Sequence, residues 1–522
     1  MADANPYQID PKRSRLQFRL FLCSNFVYLW LVHWGALWLY PLGTDYARLA
    51  DPASLGFVCG RVLNAQMQVF GDWLPGYHAF NFLLLYGAML AVLLLTRFVL
   101  NGPWWLGSFA AVLMMANPAK NAAVLPLSAV ADLLPAVSAL AALACYAGYL
   151  RHGGRVVYVA SLLLFAAASL AFTDNLMLFG AVLVFDLFIG GGDVSRSARL
   201  APFVAVFAGA MARHGWVWVE YPMDPVAAFA PLYLALYPLG LLPGTAVWYA
   251  AYPVLWLVPA VIFGVIVWRI YRVTREPGLL AALLAAIAFR SMPAGDFDFV
   301  HLWGGGQLIV PIALMNVAHA SVWMHVQRHP RWKRAAVTLT TSLCIVFFVM
   351  QWREIWQWDI AGKETQTFQQ RAAEAAAAEP GAPIAVLPAY GYRGTIPVWI
   401  AESAAFDTPF SQTLPVNRYL RMHAFSRDAV DVEIQEWSEL GAVVRVQGQP
   451  AYALFGVDWA QPAVGEEVAF PDYLLRFEAV ADNDYTLRIF PVDSLMPPFV
   501  VRHGNRGAGL APEPGEVPGA AE

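Results

Sequence analysis

The feature that most constrains this chain is a succession of long apolar stretches. About eleven of them reach or approach the roughly 20 residues that an α-helix needs to cross the ~30 Å hydrocarbon core of a bilayer. They lie near 18–40, 78–96, 103–117, 123–150, 156–172, 175–191, 199–218, 246–268, 278–291, 302–325 and 335–351. Lipid offers no partner to an open backbone N–H or C=O, so stretches of this length and composition are expected as helices. Composition agrees: of 522 residues, 59% are hydrophobic and 13% charged, with mean hydropathy +0.51, where a soluble domain has about 25% charged residues. The expected fold is therefore a polytopic α-helical membrane protein. The apolar segment 226–242 is broken by Pro231, Pro238 and Gly240 and reads as re-entrant or interfacial.

Basic residues orient such a chain, because cytoplasmic loops are enriched in Lys and Arg. Lys12, Arg13, Arg15 and Arg19 precede the first stretch, which runs to Tyr40 without a small-residue cleavage site and so reads as a retained helix. With that end inside, most loop arginines, such as Arg151, Arg155, Arg269, Arg272 and Arg275, also fall inside. The expected organisation is a cytoplasmic N-terminus at 1–17, a transmembrane domain at 18–351 and a first outer loop at 41–77. A small extracytoplasmic α/β or α+β domain follows at 352–503.

Within that last domain Trp352, Trp356 and Trp358 form an interfacial belt, and 364–379 is an Ala-rich helical stretch stopped by Pro380-Gly381. Strands are expected at 383–388, 442–446, 451–457 and 485–492. The Gly-, Pro- and Glu-rich tail 504–522 is expected to be disordered. The four cysteines, three of them inside apolar spans, support neither a disulfide framework nor a cysteine metal site. Walker, zinc-protease and Gly-x-Ser-x-Gly motifs are absent, and the basic residues are spread one loop at a time, which argues against nucleic-acid binding.

The outer side collects the acids Asp45, Asp51, Asp72, Asp174, Glu220, Asp224, Asp296 and Asp298. Ionisable groups near the membrane are costly to keep and are treated as functional candidates. Asp45 follows the Pro-Leu-Gly turn after the first helix and could equally be a turn former. Asp174 sits in a short connection where a helix N-cap is the structural alternative. Arg213, Arg290, His301 and Lys120 fall on the same side. Guanidinium matches phosphate oxygens bidentately, so these residues suit a phosphate, while interfacial anchoring is the structural alternative. Asp296 and Asp298 form an Asp-x-Asp that could ligate a divalent cation.

The order of four segments over about residues 20–350 resembles the GT-C superfamily, glycosyltransferases that use polyprenyl-phosphate-linked sugars, and within it the relatives of the protein O-mannosyltransferases. These are the loop acid in Thr44-Asp45-Tyr46, the run from Tyr77 to Tyr86, the run from Met115 to Val124 with Asp132-Leu-Leu134, and Ser169 to Leu176 closing at Asp186-Leu187. Asn117 stands where the family commonly has His, and Thr173-Asp174 where it often has Lys-Glu.

The resemblance implies a GT-C-like transmembrane domain at the outer face of a bacterial inner membrane. Its substrates would be a polyprenyl-phosphate sugar and a protein or glycan acceptor. Asp45 would be the catalytic base that takes a proton from the acceptor hydroxyl, an assistance worth about 10²–10⁴ in rate. Arg213, Arg290, His301 and Lys120 would bind the leaving phosphate, and Asp174 would position the acceptor or orient a basic partner. It implies no definite cofactor, and a divalent cation is optional. The departures from the family pattern motivate an alternative, a catalytically inactive GT-C-like subunit or scaffold that binds a partner complex through its outer domain. A transporter ranks last, because few ionisable residues lie mid-span and no repeated half is visible.

Overall fold

The structure is a computed structural model. It describes residues 11–42, 45–117, 120–172, 175–190, 196–214, 277–290, 309–327 and 330–378, and isolated positions between 261 and 272. Of the C-terminal part it describes strands between 384 and 502 and residues 461–469. The expected segment at 226–242, the strand at 451–457, the tail at 504–522 and all of the span at 246–268 except Val261, Gly264, Val265 and Trp268 lie outside the described residues.

The helices in chain order are α1 (Pro11–His33), α2 (Asp45–Ala50), α3 (Phe57–Phe70), α4 (Leu74–Leu100), α5 (Trp104–Ala116) and α6 (Asn121–Val124). They continue with α7 (Val130–His152), α8 (Arg155–Ala171), α9 (Leu178–Ile189) and α10 (Arg196–His214). The last three are α11 (Pro277–Arg290), α12 (Ile309–Gln327) and α13 (Pro330–Ala378). Among the described residues four helices are long and apolar enough to cross a membrane: Ser14–Trp38, Leu74–Leu100, Val130–His152 and Ile309–Val326. Shorter apolar helices lie at Trp104–Ala116, Arg155–Ala171, Leu178–Ile189 and Pro277–Phe289.

The chain forms two compact units. The first comprises Met1–Leu37, Leu55–Gln66 and Pro75–Trp356. It is a helical assembly in which α7 packs on α8, α11 on α9 and α12, and α5 on α1 and α12. Its core is built from side chains such as Phe82, Leu85, Met89, Met114, Tyr146, Phe165 and Phe185. Gly107 lets α5 approach α4 closely, since a Cβ there would lie 2.5 Å from the Leu93 carbonyl oxygen. Small residues serve this purpose where helices pack in lipid.

The outward faces are apolar too. Leu16, Leu20, Val27 and Leu31 are exposed along one side of α1, and Val156, Val159 and Leu163 along one side of α8. These spacings of three, four and seven residues are helical, so each set is a continuous stripe. A soluble protein would bury such stripes, whereas a bilayer covers them. The chain is a multi-pass membrane protein.

The second unit comprises Trp38–Ser54, Met67–Leu74 and Gln357–Glu522. It contains a five-stranded antiparallel sheet with the spatial order Asp431–Ser438, Gly441–Gln447, Asp484–Pro491, Tyr473–Ala481, Glu467–Ala469. Val444, Val446, Leu475, Phe477, Leu487 and Ile489 are buried in it. A second, three-stranded parallel sheet has Ile384–Leu387 at its centre. The expected strands at 383–388, 442–446 and 485–492 coincide with observed ones.

Two features differ from the sequence reading. The segment 41–77 contains helical pieces, α2, a 3-10 turn at Pro52–Leu55 and α3. The last span and the Ala-rich stretch are one 49-residue helix, α13.

Candidate functional site

Lys120 sits in the turn between α5 and α6. Its side chain is buried, and its ammonium donates to Asn121 Oδ1 at 3.0 Å and to Gln351 Oε1 at 3.4 Å. The Gln351 amide in turn donates to Asn121 Oδ1 at 2.7 Å and faces His33 Nε2 at 3.3 Å. His33 Nδ1 lies 3.2 Å from the Leu29 carbonyl oxygen. A carbonyl only accepts, so Nδ1 carries the ring proton and Nε2 is left to accept from Gln351. The four side chains thus form a self-consistent donor–acceptor network within the first unit, linking α1, the 117–130 turn and α13.

Glu354 lies one turn beyond Gln351 on α13. Lys120 and Glu354 both fall outside the spans expected at 103–117, 123–150 and 335–351. Burial pushes the Lys120 ammonium down to about 7, against a smaller upward pull from Glu354. Burial pushes the Glu354 carboxyl up to about 7, against the opposing pull of Lys120 and Asn121. Desolvation dominates in each case, because a charge taken out of water costs more than one partner returns. Burial thus disfavours the charged form of both groups, and the attraction of each for the other opposes it.

Asn81 holds the far side of the Lys120 turn. Its amide donates to the carbonyls of Pro126 and Leu127 at 3.1 and 3.2 Å. This residue belongs to the Tyr77–Tyr86 segment singled out in the sequence, and His78 in the same segment is also buried.

Asp45, the expected base, opens α2 in the second unit and is 1% exposed. Its Oδ2 accepts the Leu42 N–H at 3.2 Å, while its own N–H donates to the Leu42 carbonyl at 3.0 Å. This reciprocal pair resembles half of a capping box and fixes the carboxylate at the start of the helix.

The other candidates are placed as follows. Arg213 is exposed in the last turn of α10, and the neighbouring His214 Nε2 lies 3.2 Å from the Ser169 carbonyl oxygen. Arg290 ends α11, with its side chain outside the described residues. Asp174, His301, Asp296 and Asp298 also lie outside them. Asp186 has a structural setting: it accepts from Tyr146 at 2.6 Å and from Arg199 at 2.8 Å, tying α7, α9 and α10 together. Among the described residues, no group of three or more His, Cys, Asp or Glu is arranged to hold a metal ion.

Sequence reasoning missed His33, Asn121, Gln351, Glu354 and Asn81. His33, Asn81 and Gln351 did leave a signal, since each is a polar residue inside an expected span. Burying such a group without a partner is costly, so its presence announces one.

No family model and no curated protein matches the chain. Among solved structures, ArnT from Cupriavidus metallidurans bound to undecaprenyl phosphate is similar at TM-score 0.36 and 15% identity, covering 69% of this chain and 72% of that one. Likeness of that degree leaves family and chemistry to be argued from the residues.

Proposed function

We propose that the protein is an integral-membrane glycosyltransferase. It transfers a sugar from a polyprenyl-phosphate carrier to an acceptor hydroxyl at the outer face of a bacterial inner membrane. The order of sequence segments resembling GT-C enzymes motivates this reading, and one observation supports it. Asp45 and Lys120, the two nominated ionisable residues most deeply buried among those described, are each 1% exposed. Burying a carboxylate or an ammonium is expensive, and membrane proteins keep such groups mainly where they act.

In this reading Asp45 removes the proton of the acceptor hydroxyl as its oxygen attacks the anomeric carbon. The C–O bond to phosphate breaks, and the leaving polyprenyl phosphate takes the electron pair. Arg213, Arg290 and His301, with Lys120, would stabilise that anion, and Asp174 would position the acceptor. Residues 352–503 would form a periplasmic domain that shapes the acceptor site.

The internal bonding of Lys120 to Asn121 and Gln351 favours a second reading, a catalytically inactive subunit or scaffold in which the turn is purely structural. Transfer assayed in proteoliposomes with a panel of polyprenyl-phosphate sugars separates the two. Asp45→Asn should abolish transfer while the protein inserts and unfolds normally. Wild-type turnover by that variant would remove Asp45 as the base. A stoichiometric partner co-purifying from membranes, with no transfer by the wild type, would establish the scaffold.

A further inference from the structure

A cavity of about 370 Å³ opens within the second unit, inside the roughly 300–1,000 Å³ range of small-molecule sites. One wall is a row on α13, where Asp359, Lys363 and Gln366 share a helix face at i, i+4 and i+7. The facing residues are Trp38 and Tyr40, from the chain leaving the first helix, and Asp72, from the turn after α3.

Gly362 brings these walls together. A Cβ at that position would lie 3.0 Å from Tyr40 Cβ and 3.3 Å from its backbone nitrogen. The missing side chain lets the helix rest against the Tyr40 backbone, which sets the aromatic segment beside the polar row.

The lining chemistry narrows the ligand. Lys363 is already paired with Asp359 at 2.6 Å. Asp72 is exposed and has no ion-pair partner among the described residues. The named lining charges, two acids and one base, sum to one negative charge, which disfavours a phosphate or carboxylate ligand. Trp38 is 54% exposed and so offers a broad aromatic face. Carboxylates accept from paired hydroxyls, Gln366 can donate and accept, and aromatic faces stack on the apolar C–H side of a sugar ring. We propose that this cavity binds a neutral saccharide, a single pyranose or a disaccharide, with the ring on Trp38 and its hydroxyls held by Asp72 and Gln366.

The further step, that this saccharide is the acceptor of transfer, rests on the function proposed above; the binding itself does not. Binding is therefore measured without donor. The full chain in nanodiscs is titrated with methyl glycosides of glucose, mannose and galactose and with maltose, by saturation-transfer NMR and calorimetry. Inorganic phosphate and ethanolamine serve as the anionic and cationic probes.

At least one glycoside should bind saturably. Trp38→Ala and Asp72→Asn should each weaken it tenfold or more, and both positions are exposed, so these variants should fold. Gly362→Val, which forces the walls apart, should abolish it. Absence of saturable glycoside binding, binding unmoved by Trp38→Ala and Asp72→Asn, or binding of ethanolamine or phosphate alone would overturn the proposal. Glycoside binding in a protein that transfers no sugar would leave the cavity standing and count against the transferase. Transfer without glycoside binding would do the reverse.

Discussion

The Gln351 amide donates to Asn121 Oδ1 at 2.7 Å, joining positions 230 residues apart in the chain. Gln351 also accepts from Lys120 and faces His33, so one neutral side chain satisfies three buried polar partners. Gln351→Leu should leave them short of hydrogen bonds, at about 1–3 kcal/mol for each buried group left unpaired. Thermal unfolding in detergent is expected to show a clearly lowered Tm, and an unchanged Tm would contradict the network.

Lys120 and Glu354 should behave as a coupled pair. Lys120→Met leaves the Glu354 carboxyl without the pull of the ammonium, and Glu354→Gln leaves the ammonium without the pull of the carboxylate. The double variant should therefore cost less than the two single costs combined, by about 0.5–3 kcal/mol, as groups in one network do. Strict additivity in a double-mutant cycle would show that the two do not interact.

Asn81 pins the same turn through two backbone carbonyls. Asn81→Leu removes both donors, and the amides of residues 120–129 should then exchange faster in hydrogen–deuterium measurements. Protection unchanged in that segment would mean that the turn is held by other contacts.

The five-stranded sheet carries a pH-sensitive pair. Arg445 grips Asp484 through Nε–Oδ1 at 3.0 Å and Nη2–Oδ2 at 2.5 Å, and those hydrogen bonds hold the carboxyl below its ordinary value. A carboxyl whose folded value lies below its unfolded one adds stability that is fully present above about pH 3.9 and is lost as pH falls through the folded value. Arg445→Ala should raise the Asp484 midpoint seen by carboxyl NMR. The stability change should be small, because both side chains are more than a third exposed, at 38% and 35%. A midpoint unmoved by Arg445→Ala would show that the pair is not formed in solution.

The helices were legible where a long apolar run left the backbone no other option, as at 78–96 against α4 (Leu74–Leu100). The continuity of α13 was harder to see. Its composition changes from apolar to Ala- and Gln-rich, which looks like a domain boundary, yet no proline follows Pro330 until Pro380, and helical hydrogen bonding is indifferent to what the side chains face. Gly362, which would ordinarily weaken a helix, is accommodated by its close approach to Tyr40. Of the candidate site, Asp45 and Lys120 could be picked out because isolated charges near apolar spans are conspicuous. Gln351 stood out as a polar residue inside an apolar span, but its pairing with Asn121 was not legible, because a bond between uncharged amides 230 positions apart leaves no periodic or local trace.

Catalytic transfer from a lipid carrier is read out directly by the lipid that transfer sets free. Wild-type protein in proteoliposomes, supplied with polyprenyl-phosphate sugars and a saccharide acceptor, is followed by mass spectrometry of free polyprenyl phosphate. A transferase should release this lipid beyond one equivalent of protein and only when acceptor is present. Failure to release it from every donor in the panel would rule out transfer from a polyprenyl-phosphate carrier.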